Sequence, residues 1–273
     1  MTGGKSIGAT AGLREIASNV FWLGLPGRTR TNVYFIRSGP AWVLVDAGWA
    51  KDARRIENTA KALFGATTGP PAAILLTHVH PDHAGSARYL ARLWDCAVHL
   101  HPDELPIANA DFETMVAVAG PLDRWVVLPL LRAMGRRRRQ AALERSTLGA
   151  LARPVEPGHG LPGLPDWECV STPGHTPGHL AYFRPADRVL LSGDALVTLR
   201  IRTVRGLLTA RPGLSAPPWY TTWDPTLAAE SIRRLAALSP TVLAGGHGTP
   251  LTGPGSEAAL SAFVSGRQHS SDR

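Results

Sequence analysis

Cysteine is scarce in this chain. Two residues, Cys96 and Cys169, stand among 273. So few exclude a disulfide framework and point to a reduced, cytoplasmic protein. Long apolar runs are missing too. No stretch reaches the length needed to span a bilayer, and the first twenty residues lack the apolar core of a secretory signal. No internal repeat has a period typical of solenoids or propellers. Charged residues make up 18% against 44% hydrophobic, which excludes a disordered polyelectrolyte. Lysine is rare as well: of the 29 basic residues only Lys5, Lys51 and Lys61 are lysine. The net charge of +8 therefore comes from arginine. It reads first as the mark of a GC-rich genome and second as a basic surface for nucleic acid, an anionic membrane or an acidic substrate.

The length suits one large α/β unit. The reading places a single domain over 13–268, with 1–12 and 269–273 as flexible tails. Short β-rich runs open it at Val20–Leu23, Asn32–Ile36 and Trp42–Asp46. Helical periodicity follows over Ala53–Phe64, then an apolar strand over Ala73–Thr77. A helix over Ser86–Trp94 and a strand over Ala97–Leu100 continue the alternation, which argues for an α/β layered fold. Residues 103–152 read as a mostly helical, lid-like insert. Strands return at Trp167–Ser171, His179–Phe183, Val189–Leu191 and Val242–Ala244. Helices are expected over Thr226–Leu238 and Glu257–Val264. Residues 198–224, rich in Arg, Pro and Trp, receive no element.

The segment His78-Val79-His80-Pro81-Asp82-His83 packs three imidazoles and a carboxylate into six residues. These are good ligands for zinc and other first-row dications. His78 and His80, two apart in extended chain, point to the same side. Pro81 turns the backbone, so Asp82 and His83 can address a second, neighbouring point. Three further loops each follow a strand and carry a ligand type: Pro173-Gly174-His175-Thr176-Pro177-Gly178-His179, Gly193-Asp194 and Gly246-His247-Gly248. Loops on a rigid sheet are where such folds gather their sites.

The order Asp46-Ala-Gly, His-x-His-x-Asp-His, Pro-Gly-His-Thr-Pro-Gly-His, Gly-Asp and Gly-His-Gly, spread over 46–247, resembles the metallo-β-lactamase superfamily. The resemblance implies a four-layered αβ/βα sandwich with two divalent metals at the sheet edge. These would be zinc, with iron or manganese as alternatives. It also implies a ligand set. One metal takes His78, His80 and His175, the other takes Asp82, His83 and His247, and Asp194 bridges them. Asp46 supports the motif loop, and His179 takes a hydrogen-bonding role beside the ligands. His99, His101 and His159 stay outside the set. A metal-bridging hydroxide is the implied nucleophile, with Asp82 orienting it and carrying its proton to the leaving group.

The Pro-Gly-His-Thr-Pro-Gly-His form is similar to the lactonase and glyoxalase II-like branches. The expected reaction is hydrolysis of a carboxylic ester, lactone or thioester. A phosphodiesterase or nuclease and an iron-dependent sulfur dioxygenase-like oxidoreductase are the alternatives. Acyl-homoserine lactonases place a tyrosine three residues after the bridging aspartate, and Val197 stands there in this chain. The expected partner is a small molecule with an apolar acyl part. The apolar residues of the insert, with Trp219, Tyr220 and Trp223, either line that pocket or pack the insert onto the core. The run Arg136–Arg139 is either a solvated helix face or a contact for an anionic substrate, nucleic acid or membrane.

Overall fold

The computed structural model describes residues 12–65, 69–144 and 146–271. The expected tails fall largely outside this range: residues 1–11, 272 and 273 are not described. Two sheets face each other. The first contains β1 (Leu13–Ala17), β2 (Val20–Gly24), β3 (Asn32–Ser38), β4 (Ala41–Val45), β5 (Ala73–Leu75), β6 (Val98–Leu100) and β7 (Ala152–Pro154), side by side in that order. The pairs from β1 to β4 are antiparallel and those from β4 to β7 parallel. The second sheet uses β8 (Glu168–Ser171), β9 (Leu180–Arg184), β10 (Val189–Gly193), β13 (Val242–Gly245) and β14 (Leu251–Thr252), in the order β14-β13-β10-β9-β8.

Side-chain alternation explains the layering. Tyr34, Ile36, Val43, Val45 and Leu75 of the first sheet meet Leu180, Tyr182, Leu191 and Ala244 of the second in one buried layer. Their sequence neighbours Val33, Phe35, Leu44 and Ile74 point outward, onto α1 (Ala53–Phe64) and α3 (Ala87–Trp94). On the far side, Ala181, Phe183, Leu190 and Leu243 face α9 (Pro225–Ala237) and α10 (Gly255–Ser271). The result is the four-layered αβ/βα sandwich. Both faces of each sheet are covered at the central strands, which is why β4, β5 and β10 read as continuous apolar runs.

Local chemistry sets the element ends. Helix α1 presents Ile56, Ala60 and Phe64 at helical spacing to the sheet and stops at Gly65, whose φ of +85° only glycine adopts freely. Helix α9 starts where Asp224 accepts hydrogen bonds from the N–H groups of Thr226 and Leu227, with Pro225 in the first turn. Helix α10 is longer at both ends than expected. The insert consists of short pieces: α4 (Leu105–Ala108), α5 (Phe112–Ala117), a wide helical turn over Asp123–Val127, α6 (Leu128–Ala133) and α7 (Arg136–Glu144). The unassigned 198–224 stretch begins inside β11 (Val197–Leu199). It holds α8 (Val204–Thr209) and β12 (Pro212–Ser215), which pairs with β11. Among the described residues no helix is long and apolar enough to cross a membrane.

Candidate metal centre

Five strand ends converge on one edge of the sandwich. β4 runs into Asp46, β5 into Thr77–His83, β8 into Thr172–His179, β10 into Asp194 and β13 into His247. Contacts between the sheets fix this edge. The Tyr182 hydroxyl donates to Leu76 O at 2.7 Å, and Leu180 N–H to Thr77 O at 2.9 Å. Buried Asn32 donates from Nδ2 to Gly245 O and Gly248 O, on either side of His247. Thr198 donates to His247 O from both N–H and hydroxyl.

The motif loop changes conformation midway. His80 is still extended (φ −60°, ψ 148°) and caps the four-residue helix α2 (Pro81–Ala84), with Pro81 in its first position. His78 and His80 therefore share one direction, while Asp82 and His83 are carried round the helical turn. His78 Nε2 lies 3.1 Å from His80 Nδ1, which lies 3.0 Å from His175 Nε2. On the other side His247 Nε2 is 3.5 Å from Asp82 Oδ2, and His83 Nε2 is 3.9 Å from the same atom. Asp194 sits between the groups. Its Oδ1 is 3.4 Å from His83 Nε2, and its Oδ2 is 3.4 Å from His175 Nε2 and 3.1 Å from His247 Nε2.

Three sets of potential ligand atoms lie within 4.8 Å of one another: His78, His80 and His175; His78, His83 and Asp194; and Asp82, His83 and His247. Ligands of a tetrahedral zinc ion stand about 3.3 Å apart at Zn–N distances of about 2.0 Å, so the separations suit a shared ion. Two buried atoms aimed inward, His83 Nε2 and Asp194 Oδ1, have no hydrogen-bond partner. Burying such atoms unpaired is costly, and a cation bound there would offset that cost. Gly246 leaves no room for a side chain, because a Cβ there would collide with Asp194 Oδ1.

The electrostatics fit the same use at His78 and His175, whereas an ion at His83 would have to displace a proton. Burial first, then repulsion among neighbouring rings, holds His78 and His175 well below the ordinary imidazole range, so both offer neutral nitrogens. At His83 burial opposes the charge, but Asp194, Asp46 and Asp82 overcome it and push the imidazole up to about 10. Burial likewise opposes the Asp194 carboxylate, yet His247 and His83 hold it well below the usual range.

The supporting residues occupy definite places. Asp46 adopts a left-handed conformation (φ +58°). Its Oδ1 accepts from Thr77 N–H at 2.8 Å and its Oδ2 faces His83 Nδ1 at 2.8 Å. A strained aspartate is held there by the bonds it makes. His179 Nε2 accepts the Asp194 N–H at 3.0 Å, while its Nδ1 faces the Thr172 hydroxyl at 2.8 Å. Burial keeps His179 neutral, with its pKa pushed down to about 3. Glycine is needed at position 193, where φ is +50° and a Cβ would press on His179.

The reading of the sequence missed Glu104. It is fully buried, and its two carboxylate oxygens accept from Val79 N–H at 3.1 Å and Gly178 N–H at 3.0 Å. It thus straps the motif loop to the His175 loop. The only available signal was the acid pair Asp103-Glu104 set between Pro102 and Pro106, which does not say which of the two turns inward.

A cavity of about 310 Å³ opens beside the centre, with His80 and Thr176 in its wall. The insert supplies Ile107, Met115, Leu128 and Leu131 to the same wall, while Trp219, Tyr220 and Trp223 are not part of it. Among the candidate ligands His80 and Asp82 are partly exposed and the others buried, so access is from their side.

The metallo-beta-lactamase superfamily model matches residues 26–247. The chain belongs to that superfamily. Within it, the chain is 36% identical over 225 residues to the probable metallo-hydrolase YflN of Bacillus subtilis, covering 81% of this chain and 82% of that one. It is 30% identical over 192 residues to the probable metallo-hydrolase YybB of the same organism, at 68% and 73% coverage. Among solved structures, TTHA1623 in a di-iron-bound form aligns with a TM-score of 0.55 and 28% identity, covering 83% of this chain and 92% of that one. The superfamily protein TTHA1429 of Thermus thermophilus aligns with a TM-score of 0.63 and 23% identity, at 93% and 81% coverage, and this likeness concerns the fold.

Proposed function

We propose that this chain is a binuclear metal-dependent hydrolase that cleaves a carboxylic ester, lactone or thioester with an apolar acyl part. The observation that carries the reading is the apolar cavity sharing His80 with the metal centre. Its volume falls in the range of small-molecule sites, and its few polar groups lie at the metal end and rim. Two other clefts, one lined by Arg200, Arg202, Arg205 and Arg211 and one beside Arg88 and Arg92, contain none of the candidate ligands.

His78, His80 and His175 would hold one ion, and Asp82, His83 and His247 the other, with Asp194 between them. Bound there, divalent ions supply Lewis acidity and a water acidic enough to act as a nucleophile near neutral pH. The chain's own contribution is positional. Asp82 is the partly exposed carboxylate at the open side, placed to orient the attacking water and carry its proton to the leaving group. The insert excludes water from the acyl part and aligns the carbonyl above His80.

The test pairs elemental analysis of protein purified without chelator with hydrolysis of thioesters and lactones of increasing acyl length. The expected result is about two metal equivalents per chain and a kcat/KM that rises with acyl length. No metal after reconstitution, or equal rates across the series, contradicts the reading. A single iron accompanied by oxygen consumption assigns the chain to oxidoreductase chemistry instead.

A further inference from the structure

The insert has a second face. Leu122, Trp125, Val126, Leu130 and Met134 are all exposed, Trp125 at 77% and Leu130 at 64%. At positions i, i+3, i+4, i+8 and i+12 along the wide turn, α6 and their flanking residues, they form one stripe. Leu128 and Leu131 of the same segment turn inward to the cavity. A contiguous run of large apolar side chains in water marks an interaction surface.

The charges beside the stripe are mostly positive, although exposed Asp111 and Glu113 flank Phe112 on α5. Over residues 121–144 the chain carries Arg124, Arg132 and Arg136–Arg139 against only Asp123 and Glu144. Asp123 is half-buried in the cavity wall, and Glu144 accepts a hydrogen bond from Gln140. Arg136, Arg137 and Arg138 point into solvent. Arg139 stacks over Phe112 at 4.1 Å, which pins α7 against α5.

We propose that this stripe and its arginines form a docking face for an anionic membrane surface. The segment is too short and too charged to cross a bilayer. It has the composition of a helix lying in the interface plane: an apolar face with tryptophan, flanked by arginine. Anionic headgroups complement the arginines, which a zwitterionic surface does not. A second copy of the chain fits less well, because a twofold contact would bring the two arginine clusters together. Docking is independent of the hydrolase reading, since none of the five stripe residues lines the cavity or the metal centre.

The test is co-sedimentation of the full, metal-loaded chain with vesicles. Phosphatidylglycerol mixed with phosphatidylcholine should retain the protein, and phosphatidylcholine alone should not. Salt at about 1 M should release it, as screening then acts within about 3 Å. A Trp125→Glu, Leu130→Glu double variant should bind at least about tenfold more weakly, with hydrolysis of a short soluble ester unchanged. The triple variant Arg136→Gln, Arg137→Gln, Arg138→Gln alters only exposed side chains. It should show the same loss, and it keeps the test decisive if the double variant fails to fold. Absence of binding to anionic vesicles, or equal binding by wild type and a folded variant, overturns the proposal. A solution dimer that the double variant dissolves also overturns it and assigns the face to a second copy.

Discussion

His83 Nδ1 lies 2.8 Å from Asp46 Oδ2, and both groups are buried. With Nδ1 committed to the carboxylate, Nε2 is turned toward Asp194 and Asp82. Carboxylate partners of this kind fix the ring and raise its basicity as a ligand. Replacing Asp46 with Asn removes the charge but keeps the shape. Metal affinity at the His83 side should fall about 10–100-fold, and a competition titration against a chromophoric chelator measures it. Unchanged affinity would sink the supporting role of Asp46.

Glu104→Ala leaves the N–H groups of Val79 and Gly178 without their acceptors. A buried donor left unpaired costs about 1–3 kcal/mol. The thermal midpoint should drop by about 5 °C or more, and metal occupancy should fall with it because both ligand loops lose their strap. Glu104→Gln retains one acceptor and should lie between the two. Calorimetry with metal analysis on all three proteins settles the order.

Ala119 is buried in the cavity wall. Ala119→Phe fills part of that space, so the preferred acyl chain should become shorter. The discriminating measurement is kcat/KM across a chain-length series. An optimum that does not move would separate the cavity from the substrate.

Burial pushes the Cys169 thiol up to about 12, and burial with the nearby Asp95 carboxylate pushes Cys96 up to about 11. The thiolate is the reactive form, so both cysteines should label slowly in the folded protein at about pH 8 and rapidly once unfolded, where the thiol returns to about 8.5. The sign for stability follows. Deprotonation favours the unfolded chain, so stability held at neutral pH is lost as pH rises past the unfolded value. Thiol labelling with and without denaturant checks this, and full-rate labelling of both in the native state would refute it.

The convergence of the motif residues was legible because candidate ligand chemistry is carried by residue type and spacing. His78 through His83 announce a ligand loop, and Pro81 announces its turn. Strand identity was legible where apolar runs are continuous, as at Ala73–Leu75, because those strands are buried on both faces. Glu104 was not legible: its role comes from two backbone N–H groups, one of them 74 residues away. Nor was the pairing of Val197 with Ser215, which depends on tertiary placement rather than on local pattern. The double character of the insert also needed three dimensions, since Leu128 and Leu130 look alike in sequence and face opposite ways.

Each of the three ligand groups draws on both sheets. His78, His80, Asp82 and His83 follow a strand of the first, whereas His175, Asp194 and His247 follow strands of the second. Neither half of the chain therefore owns a complete nest for an ion. Metal uptake would then mark assembly: a nascent chain would expose histidines but hold no ion durably until the halves had met, and an ion held there would act as a clasp that opposes their parting.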